Sequence, residues 1–299
     1  MNLRDLKYLV ALADAGHFGK AAERSFVSQP TLSAQIKKLE EFLGVTLFER
    51  QPRKVTLTPV GERIVERARH ILRDSADIVE TAQAARDPLG GVLKIALIPT
   101  LGPYLLPLVT AKLRKALPKL RLMLYEYQTE TLLKQLSAGE LDLGILALGV
   151  DTTGLETRSL GEEAFQVAVP SQHPLANKAT IKREDLISET LLLLEDGHCL
   201  RDQALEVCAH LPVHEAPDFR ATSLETLRQM VGAGCGITLM PELAIHGPFA
   251  ASKTVVARPF AKPVPTRVIG AVWRRSTTRL PAITLIGDVI ADVLDHHAG

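Results

Sequence analysis

The chain has 299 residues, more than one average domain, so two or three folded units with a sizeable core are expected. Hydrophobic residues make up 46% of it and charged residues 23%, which excludes a wholly disordered or collagen-like chain. Lys and Arg number 35 against 34 Asp and Glu, so the net charge is +1 and any surface for nucleic acid must be local.

The first 25 residues predict two short helices. Leu6, Leu9 and Val10 recur at helical spacing, and Gly16 follows as a stop. A second stretch at 19–25 is rich in alanine, whose small side chain permits close packing of helices.

A third helix is predicted to have one polar face. Ser28 can cap its N-terminus, and Pro30 suits the first turn because the N–H that it lacks would be unpaired there. Apolar residues recur every three or four positions before a stop at Gly44: Leu32, Ile36, Leu39 and Leu43. The other face carries groups that can donate to base edges and phosphates: Thr31, Ser33, Gln35, Lys37 and Lys38.

Residues 45–58 predict a small hairpin with Arg50, Arg53 and Lys54 near its tip. Two helices joined by a tight turn, followed by such a basic wing, form a helix-turn-helix whose second helix enters the major groove. A helical bundle used only for packing is the alternative. The polar face of the third helix favours DNA.

Residues 59–87 predict a long helix that pairs with a second chain. Small and apolar residues form a heptad seam: Ile64, Ala68, Ile71, Ser75, Ile78, Ala82 and Ala85. A surface helix that packs on its own domain is the alternative; the dimer is favoured because a helix-turn-helix usually needs two half-sites. Residues 87–91, which include Pro88, then break the helix as a domain hinge.

The remaining residues alternate strands with helices. Strands are expected at 93–98, 121–128, 141–146, 166–169, 191–194, 237–240 and 268–272, and helices at 104–116, 131–137, 201–208, 224–231 and 281–295. This alternation predicts a parallel doubly wound sheet. The returning chain predicts two lobes, about 92–160 plus 268–299 and about 161–267.

Thr100 and Thr129 each follow a predicted strand. Ligands of open α/β sheets bind beyond the carboxyl ends of strands, so both residues are candidate ligand contacts. Helix capping is the other interpretation of a threonine at such a position, and the sequence alone favours it.

Cys199 lies at a predicted strand-to-helix turn. Three influences there are expected to lower its thiol pKa: free N–H groups at the helix start, His198 if protonated, and Arg201. The thiolate is the form that reacts with peroxide. Asp202 is placed to orient a bound hydroxyl group or to balance Arg201.

Cys208 lies nine positions after Cys199 on the same predicted helix. Nine helical residues span roughly 13 Å, whereas a disulfide needs Cα atoms within about 7 Å. If the two thiols pair, the helix must therefore open, and oxidation becomes a change of shape.

Other interpretations of the cysteines stay open. Cysteines in a helical segment are by default buried small apolar residues. A metal site of His198, Cys199, Cys208 and His210 is conceivable by residue type, but its spacing matches no common zinc pattern, so no metal is predicted. Cys235 is interpreted as a packed, inert thiol.

Spaced motifs in the first 61 residues carry a family resemblance. They are MNLRDLKYL at 1–9, HF and AA within 17–22, SQPTLS at 28–33, and LFER with LTPVG within 47–61. Together they closely resemble LysR-type transcriptional regulators. The resemblance implies a winged helix-turn-helix with Ser28, Gln29, Pro30, Thr31, Ser33 and Gln35 on its recognition helix. Basic residues expected to add DNA contacts are Lys37, Lys38, Arg50 and Arg53.

The segment GHCLRDQA at 197–204, with Cys208, resembles the redox segment of the hydrogen-peroxide sensors of this family. The resemblance implies that peroxide oxidises Cys199 to a sulfenic acid and that Cys208 resolves it to a disulfide. It carries the family's peroxide pocket onto Thr100, Thr129, His198, Asp202 and Arg267. It also implies a regulatory domain similar to periplasmic binding proteins.

We therefore expect an α+β and α/β protein with a winged helix-turn-helix domain at 1–58, a linker helix at 59–87 and a two-lobed regulatory domain at 88–299. Its expected function is peroxide-sensing transcriptional regulation rather than enzymatic turnover. Expected partners are promoter DNA, hydrogen peroxide, RNA polymerase and further copies of the chain, in a homodimer through the linker helix or a homotetramer. Neither a cofactor nor a metal is expected.

The cysteine count and the apolar pattern predict the compartment. Three cysteines cannot form a disulfide framework, which fits a reducing cytoplasm, and no apolar run of 18 residues or export signal is found. Two alternatives remain: a LysR-type regulator that binds a metabolite and has inert cysteines, and a thiol peroxidase. The DNA-reading segment counts against the peroxidase.

Overall fold

A computed structural model describes residues 1–51, 54–87, 89–209, 211, 214–246 and 253–297. The chain forms two compact units, Met1–Ala85 and Arg86–Gly299. Of the residues singled out in the sequence, Arg53, Pro88 and His210 lie outside the described residues, and so do the side chains of Arg50, Lys54 and Ala85. No described helix combines the length and the apolar character needed to cross a membrane.

The first unit consists of helices and one hairpin. Its elements are α1 (Leu3–Ala15), α2 (Phe18–Arg24), α3 (Gln29–Leu43), β1 (Phe48–Gln51), β2 (Lys54–Leu57) and α4 (Pro59–Arg86). Strands β1 and β2 pair antiparallel, which confirms the predicted hairpin. Helices α1 and α3 end as predicted at Gly16 and Gly44, whose φ angles of 57° and 69° are the left-handed values that glycine adopts readily.

Helix α4 packs on this unit over its first half. Val65 and Ala68 are buried in the core of the unit. Ile71 and Ile78 are 43% and 71% exposed. The predicted seam therefore divides into a part that packs on its own domain and an exposed apolar stripe.

The second unit is an α/β domain. Its strands are β3 (Gly91–Leu97), β4 (Leu120–Glu126), β5 (Leu143–Ala147), β6 (Leu155–Pro170), β7 (Thr190–Leu194), β8 (His214–Ala221), β9 (Thr238–Pro241), β10 (Val255–Pro259) and β11 (Thr266–Arg274). Its helices are α5 (Gly102–Ala116), α6 (Thr129–Ser137), α7 (Cys199–Val207), α8 (Leu224–Gly232), α9 (Glu242–His246) and α10 (Leu280–His297). Short 3-10 helices cover Pro174–Asn177 and Arg183–Leu186.

The main sheet is mixed, so the predicted parallel arrangement is wrong for part of it. Strand β3 pairs parallel with β4 and β5, but β11 pairs antiparallel with β5 and β6. The strand order is β10–β6–β11–β5–β3–β4, and β9 also pairs with β6. The antiparallel pairs form because the chain returns through β11, which the spacing of apolar runs does not reveal.

Strand β6 changes its pairing partners along its length. Its first part pairs with β11 as far as Ala164, and its last part pairs with β9 and β10 from Phe165 onward. The sequence predicts a strand only at 166–169, because the first part of β6 is polar. Strands β8 and β10 are missed for a related reason, since neither contains a long apolar run.

The carboxyl ends of β3 and β4 meet at one edge of the sheet. Leu97 is paired with Glu126, and Tyr127 N donates to Leu97 O at 3.1 Å. Thr100 and Thr129 each lie three residues beyond this pair, where α5 and α6 begin. The fold thus places both threonines at the edge where ligands of such sheets bind.

Candidate functional site

Helix α3 presents polar groups at the surface of the first unit. Its N-cap is Ser28, as predicted, and Ser28 Oγ accepts a hydrogen bond from Thr31 N at 3.3 Å. Leu32, Ile36 and Leu39 pack inward. The predicted DNA contacts are exposed or half-buried: Ser28, Gln29, Pro30, Thr31, Ser33, Gln35, Lys37 and Lys38. The structure therefore brings these groups together on one accessible helix.

Thr100 and Arg267 contact each other directly in the second unit. Arg267 Nη1 donates to Thr100 Oγ1 at 3.0 Å, and Nη2 donates to Thr100 O at 3.1 Å. Both residues are buried. The N-cap of α5 is Leu101 and makes no side-chain cap bond, so the capping interpretation of Thr100 is wrong.

Thr129 is the first residue of α6, and its hydroxyl group lacks a partner. Thr129 Oγ1 is buried and forms no hydrogen bond within the described residues. The N-cap is Gln128, so the capping interpretation of Thr129 is also wrong. An unsatisfied buried hydroxyl costs about 1–3 kcal/mol, and such a group is typical of a place where a small polar molecule binds.

Gln128 holds His198 close to Thr129. Gln128 Nε2 lies 3.1 Å from His198 Nε2 and 3.4 Å from Glu195 Oε1. An amide nitrogen only donates, so the contact with Gln128 Nε2 is a hydrogen bond when His198 Nε2 carries no proton. Burial lowers the pKa of His198, against a smaller opposing effect of Glu195. Burial therefore favours the neutral imidazole over the positive charge considered for it.

Cys199 is half-buried at the first position of α7, which confirms its predicted place at a helix start. Arg201 is bound to other groups. Its Nε lies 2.9 Å from Asp196 Oδ1 and its Nη2 lies 3.3 Å from Glu215 Oε2. Carboxylates therefore compensate the charge of Arg201.

Asp202 does not balance Arg201. It is exposed on α7, and within the described part of the chain it has no hydrogen-bond or ion-pair partner. The predicted pairing of Asp202 with Arg201 is wrong because Asp196 and Glu215 approach the guanidinium instead. Glu215 comes from β8, so only the fold shows this partner.

Cys208 lies at the opposite end of α7, where it is the C-cap. Burial raises the pKa of its thiol to about 11, against a smaller opposing effect of Arg183. Both cysteines are free. The intact helix separates them by roughly 13 Å, so they cannot form a disulfide unless α7 opens.

The same separation argues against a shared metal ion, whose sulfur ligands lie about 2.3 Å from it. No group of three or more His, Cys, Asp or Glu side chains among the described residues is arranged to hold a metal.

Cys235 is exposed, so its interpretation as a packed thiol is wrong. It lies between Gly234 and Gly236, whose φ angles are +82° and +153°. This glycine turn between α8 and β9 places the thiol at the surface.

Sequence reasoning misses two polar residues that contact the candidate peroxide residues His198 and Arg267. Gln128 directly precedes Thr129 at the end of β4, so its position next to a candidate contact is a usable signal. Glu163 lies 2.7 Å from Arg267 through its Oε2, and it carries no local signal because the contact depends on the pairing of β6 with β11.

The three thiols are expected to react with iodoacetamide at different rates. At pH 8 only about one Cys208 thiol in a thousand is ionised, because its pKa is about 11. We expect the exposed Cys235 to be alkylated first and Cys208 last, and the Cys208 rate to rise about tenfold per pH unit between pH 8 and 10. Peptide mass spectrometry measures each rate, with Cys208→Ser as the control for peak assignment. Equal labelling of Cys208 and Cys235 at pH 8 would contradict the burial of Cys208.

Comparison with known proteins finds two family matches. Residues 3–62 match the bacterial regulatory helix-turn-helix proteins of the lysR family, and residues 86–295 match the LysR substrate binding domain. The chain is 46% identical to the DNA-binding transcriptional dual regulator OxyR of Escherichia coli K12, over 99% of this chain and 97% of that protein.

Solved structures give the same result. A full-length OxyR from Pseudomonas aeruginosa with a cysteine-to-aspartate substitution is 43% identical, with a TM-score of 0.76 over 97% of this chain and 94% of that chain. A peroxide-bound OxyR of Corynebacterium glutamicum with a cysteine-to-serine substitution is 33% identical, with a TM-score of 0.67 over 99% of this chain and 95% of that chain.

Proposed function

The chain belongs to the LysR family of bacterial transcriptional regulators and is a peroxide-sensing member of it, and we propose that its sensor is the cluster around Cys199. One observation carries the proposal. Helix α7 holds two free thiols at its opposite ends, and His198, directly before the helix, contacts Gln128, the neighbour of a buried Thr129 hydroxyl group that has no hydrogen-bond partner among the described residues. Oxidation in this setting can be converted into a change of fold.

Hydrogen peroxide would bind at the edge formed by the ends of β3 and β4. The proposed contacts are Thr100, Thr129, His198, Asp202 and Arg267. Thr100 and Arg267 already contact each other, and Gln128, the residue before Thr129, contacts His198. The peroxide complex of the Corynebacterium glutamicum relative supports a site of this kind.

The proposed first step is attack by the Cys199 thiolate on one peroxide oxygen. A sulfur–oxygen bond forms while the oxygen–oxygen bond breaks, which gives a sulfenic acid and hydroxide. The hydroxide takes up a proton and leaves as water. Hydrogen-bond donors aimed at the departing oxygen stabilise its developing negative charge.

The proposed second step forms the disulfide. The sulfur of Cys208 displaces the sulfenic hydroxyl group, which leaves as water. Because the Cys208 thiol is buried and its pKa is about 11, we infer that it attacks only after α7 has opened. Opening of α7 would then come before the disulfide, and the disulfide would keep the helix open.

Oxidation is proposed to change how the protein binds promoter DNA. Helix α3 would lie in the major groove, and the exposed stripe of α4 around Ile71 and Ile78 would pair two chains so that two half-sites are read. Two such dimers would form a tetramer, and the oxidised protein would activate transcription through RNA polymerase in the cytoplasm. As a sensor rather than an enzyme, the protein would consume about one peroxide per disulfide when no reductant is present.

The two cysteines are expected to differ when they are replaced singly. Cys199→Ser should abolish the response to stoichiometric peroxide, and Cys208→Ser should accumulate a sulfenic acid at Cys199. Both variants should bind operator DNA like the reduced wild type, because neither thiol lies in the DNA-reading unit. Thiol mass spectrometry and fluorescence anisotropy measure the two properties, with Cys235→Ser as the matched control. A wild-type peroxide response in Cys199→Ser would show that Cys199 is not the residue that senses peroxide.

Helix α3 is expected to provide base recognition through Ser33 and Gln35. Gln35→Ala should weaken binding to the operator by about 1–3 kcal/mol and binding to random DNA much less. Lys37→Ala, on the same helix, should weaken both and lower the slope of log K against log salt by about one. Titrations of both DNAs at several salt concentrations separate these effects. Equal weakening on both DNAs by Gln35→Ala would assign Gln35 to packing.

The exposed stripe of α4 is expected to be the dimer contact. Ile78→Asp should shift the reduced protein toward monomers, because it introduces a charge at an apolar seam. Ala76→Asp introduces the same negative charge two residues away, on a different side of the helix. This control variant should leave the assembly intact. Light scattering behind size-exclusion chromatography gives the mass, and an unchanged mass for Ile78→Asp would remove the seam from the interface.

A further inference from the structure

The guanidinium of Arg267 is bound by a carboxylate that the mechanism above does not use. Arg267 on β11 and Glu163 on β6 are directly paired residues of neighbouring antiparallel strands. Arg267 Nε donates to Glu163 Oε2 at 2.8 Å, and Nη2 lies 2.7 Å from the same oxygen. The two side chains are 0% and 3% exposed.

The second oxygen of this carboxylate is also occupied. Glu163 Oε1 accepts a hydrogen bond from Leu243 N at 2.9 Å, at the start of α9. The backbone of α9 and the guanidinium therefore fix the carboxylate from both sides. Such a group cannot rotate away without leaving a buried donor unsatisfied.

Four of the five N–H donors of the Arg267 guanidinium are used by the contacts with Glu163 and Thr100. A guanidinium has five N–H donors in a planar fork. Two face Glu163, and two face the carbonyl and hydroxyl oxygens of Thr100. Within the described part of the chain, no acceptor takes the second hydrogen of Nη1. It lies on the nitrogen that contacts Thr100 Oγ1, inside the proposed peroxide site.

We propose that Glu163 is a positioning residue for peroxide reduction: it fixes Arg267 so that the remaining Nη1 hydrogen is aimed at the peroxide oxygen that leaves as hydroxide. The inference rests on the proposed function of the Cys199 cluster. A buried guanidinium that loses its counter-ion turns toward other acceptors, and its spare donor is then no longer held in place. A donor helps the reaction only where the negative charge develops.

The test compares two reactions at Cys199 in the full-length protein. Hydrogen peroxide requires activation of its leaving oxygen, whereas iodoacetamide alkylates the same sulfur without it. Glu163→Gln removes the negative charge. Glu163→Asp keeps the charge, but its side chain is one methylene shorter and the carboxylate lies farther from Arg267. The matched control is Glu162→Gln, because Glu162 is the exposed neighbour on the same strand and bonds Thr266 Oγ1 at 3.2 Å.

We expect the peroxide rate constant to fall about a hundredfold in Glu163→Gln and about tenfold in Glu163→Asp, which is the scale for losing one aligned donor. The iodoacetamide rate constant at Cys199 and the operator affinity of the reduced protein should change less than about threefold. Glu162→Gln should behave like the wild type in both reactions. Stopped-flow kinetics and peptide mass spectrometry measure the rates.

Several outcomes overturn the proposal. A parallel loss of both reactions, or failure of both Glu163 variants to fold, assigns the ion pair to stability alone. Unchanged peroxide rates in folded variants show that Arg267 does not need Glu163. A wild type whose Cys199 reacts with peroxide no faster than Cys235 removes the proposed function itself, and the role of Glu163 with it.

Discussion

The axial rise of α7 is the constraint on which the signalling scheme depends. Nine residues of helix keep Cys199 and Cys208 roughly 13 Å apart, so a bond between them and an intact helix exclude each other. Helices of this length are marginal in isolation, because most of their stability comes from tertiary contacts. Here Arg201 ties the first turn of α7 to Glu215 on β8. The element proposed to open is therefore held by tertiary contacts and not by a strong intrinsic preference for helix.

The proposed peroxide contacts Thr100 and Arg267 are held by buried hydrogen bonds outside α7. Thr100 and Arg267 are buried at the ends of strands in the main sheet, and they are hydrogen-bonded to each other. Arg267 is paired with the carboxylate of Glu163, and Arg201 is paired with that of Asp196. The site therefore offers directed hydrogen bonds rather than a net positive charge. In the proposed chemistry, one part of the site stays fixed while α7 changes.

Local rules predict the first unit well and the sensor only in part. The cap at Ser28 and the stop at Gly44 depend on residues next to each other in the chain, and both are confirmed. The balance of Arg201 by Asp202 fails because Glu215 reaches the guanidinium from another strand. Glu163 is missed for the same reason, since its contact with Arg267 spans 104 positions and follows from strand register alone. Contacts between side chains from distant segments cannot be predicted from a single sequence, because they depend on how the strands pair.

The placement of Cys208 decides the order of events in the proposed mechanism. A resolving thiol that was exposed and easily ionised could form mixed disulfides with any passing thiol before peroxide arrived. The buried Cys208, with a pKa of about 11, stays a neutral thiol in the closed protein at pH 7. Opening of α7 removes the burial that raises this pKa, so exposure and reactivity arise in the same motion. In the proposed mechanism the helix would thus control the second step, and the sulfenic acid at Cys199 would have to persist until α7 opens.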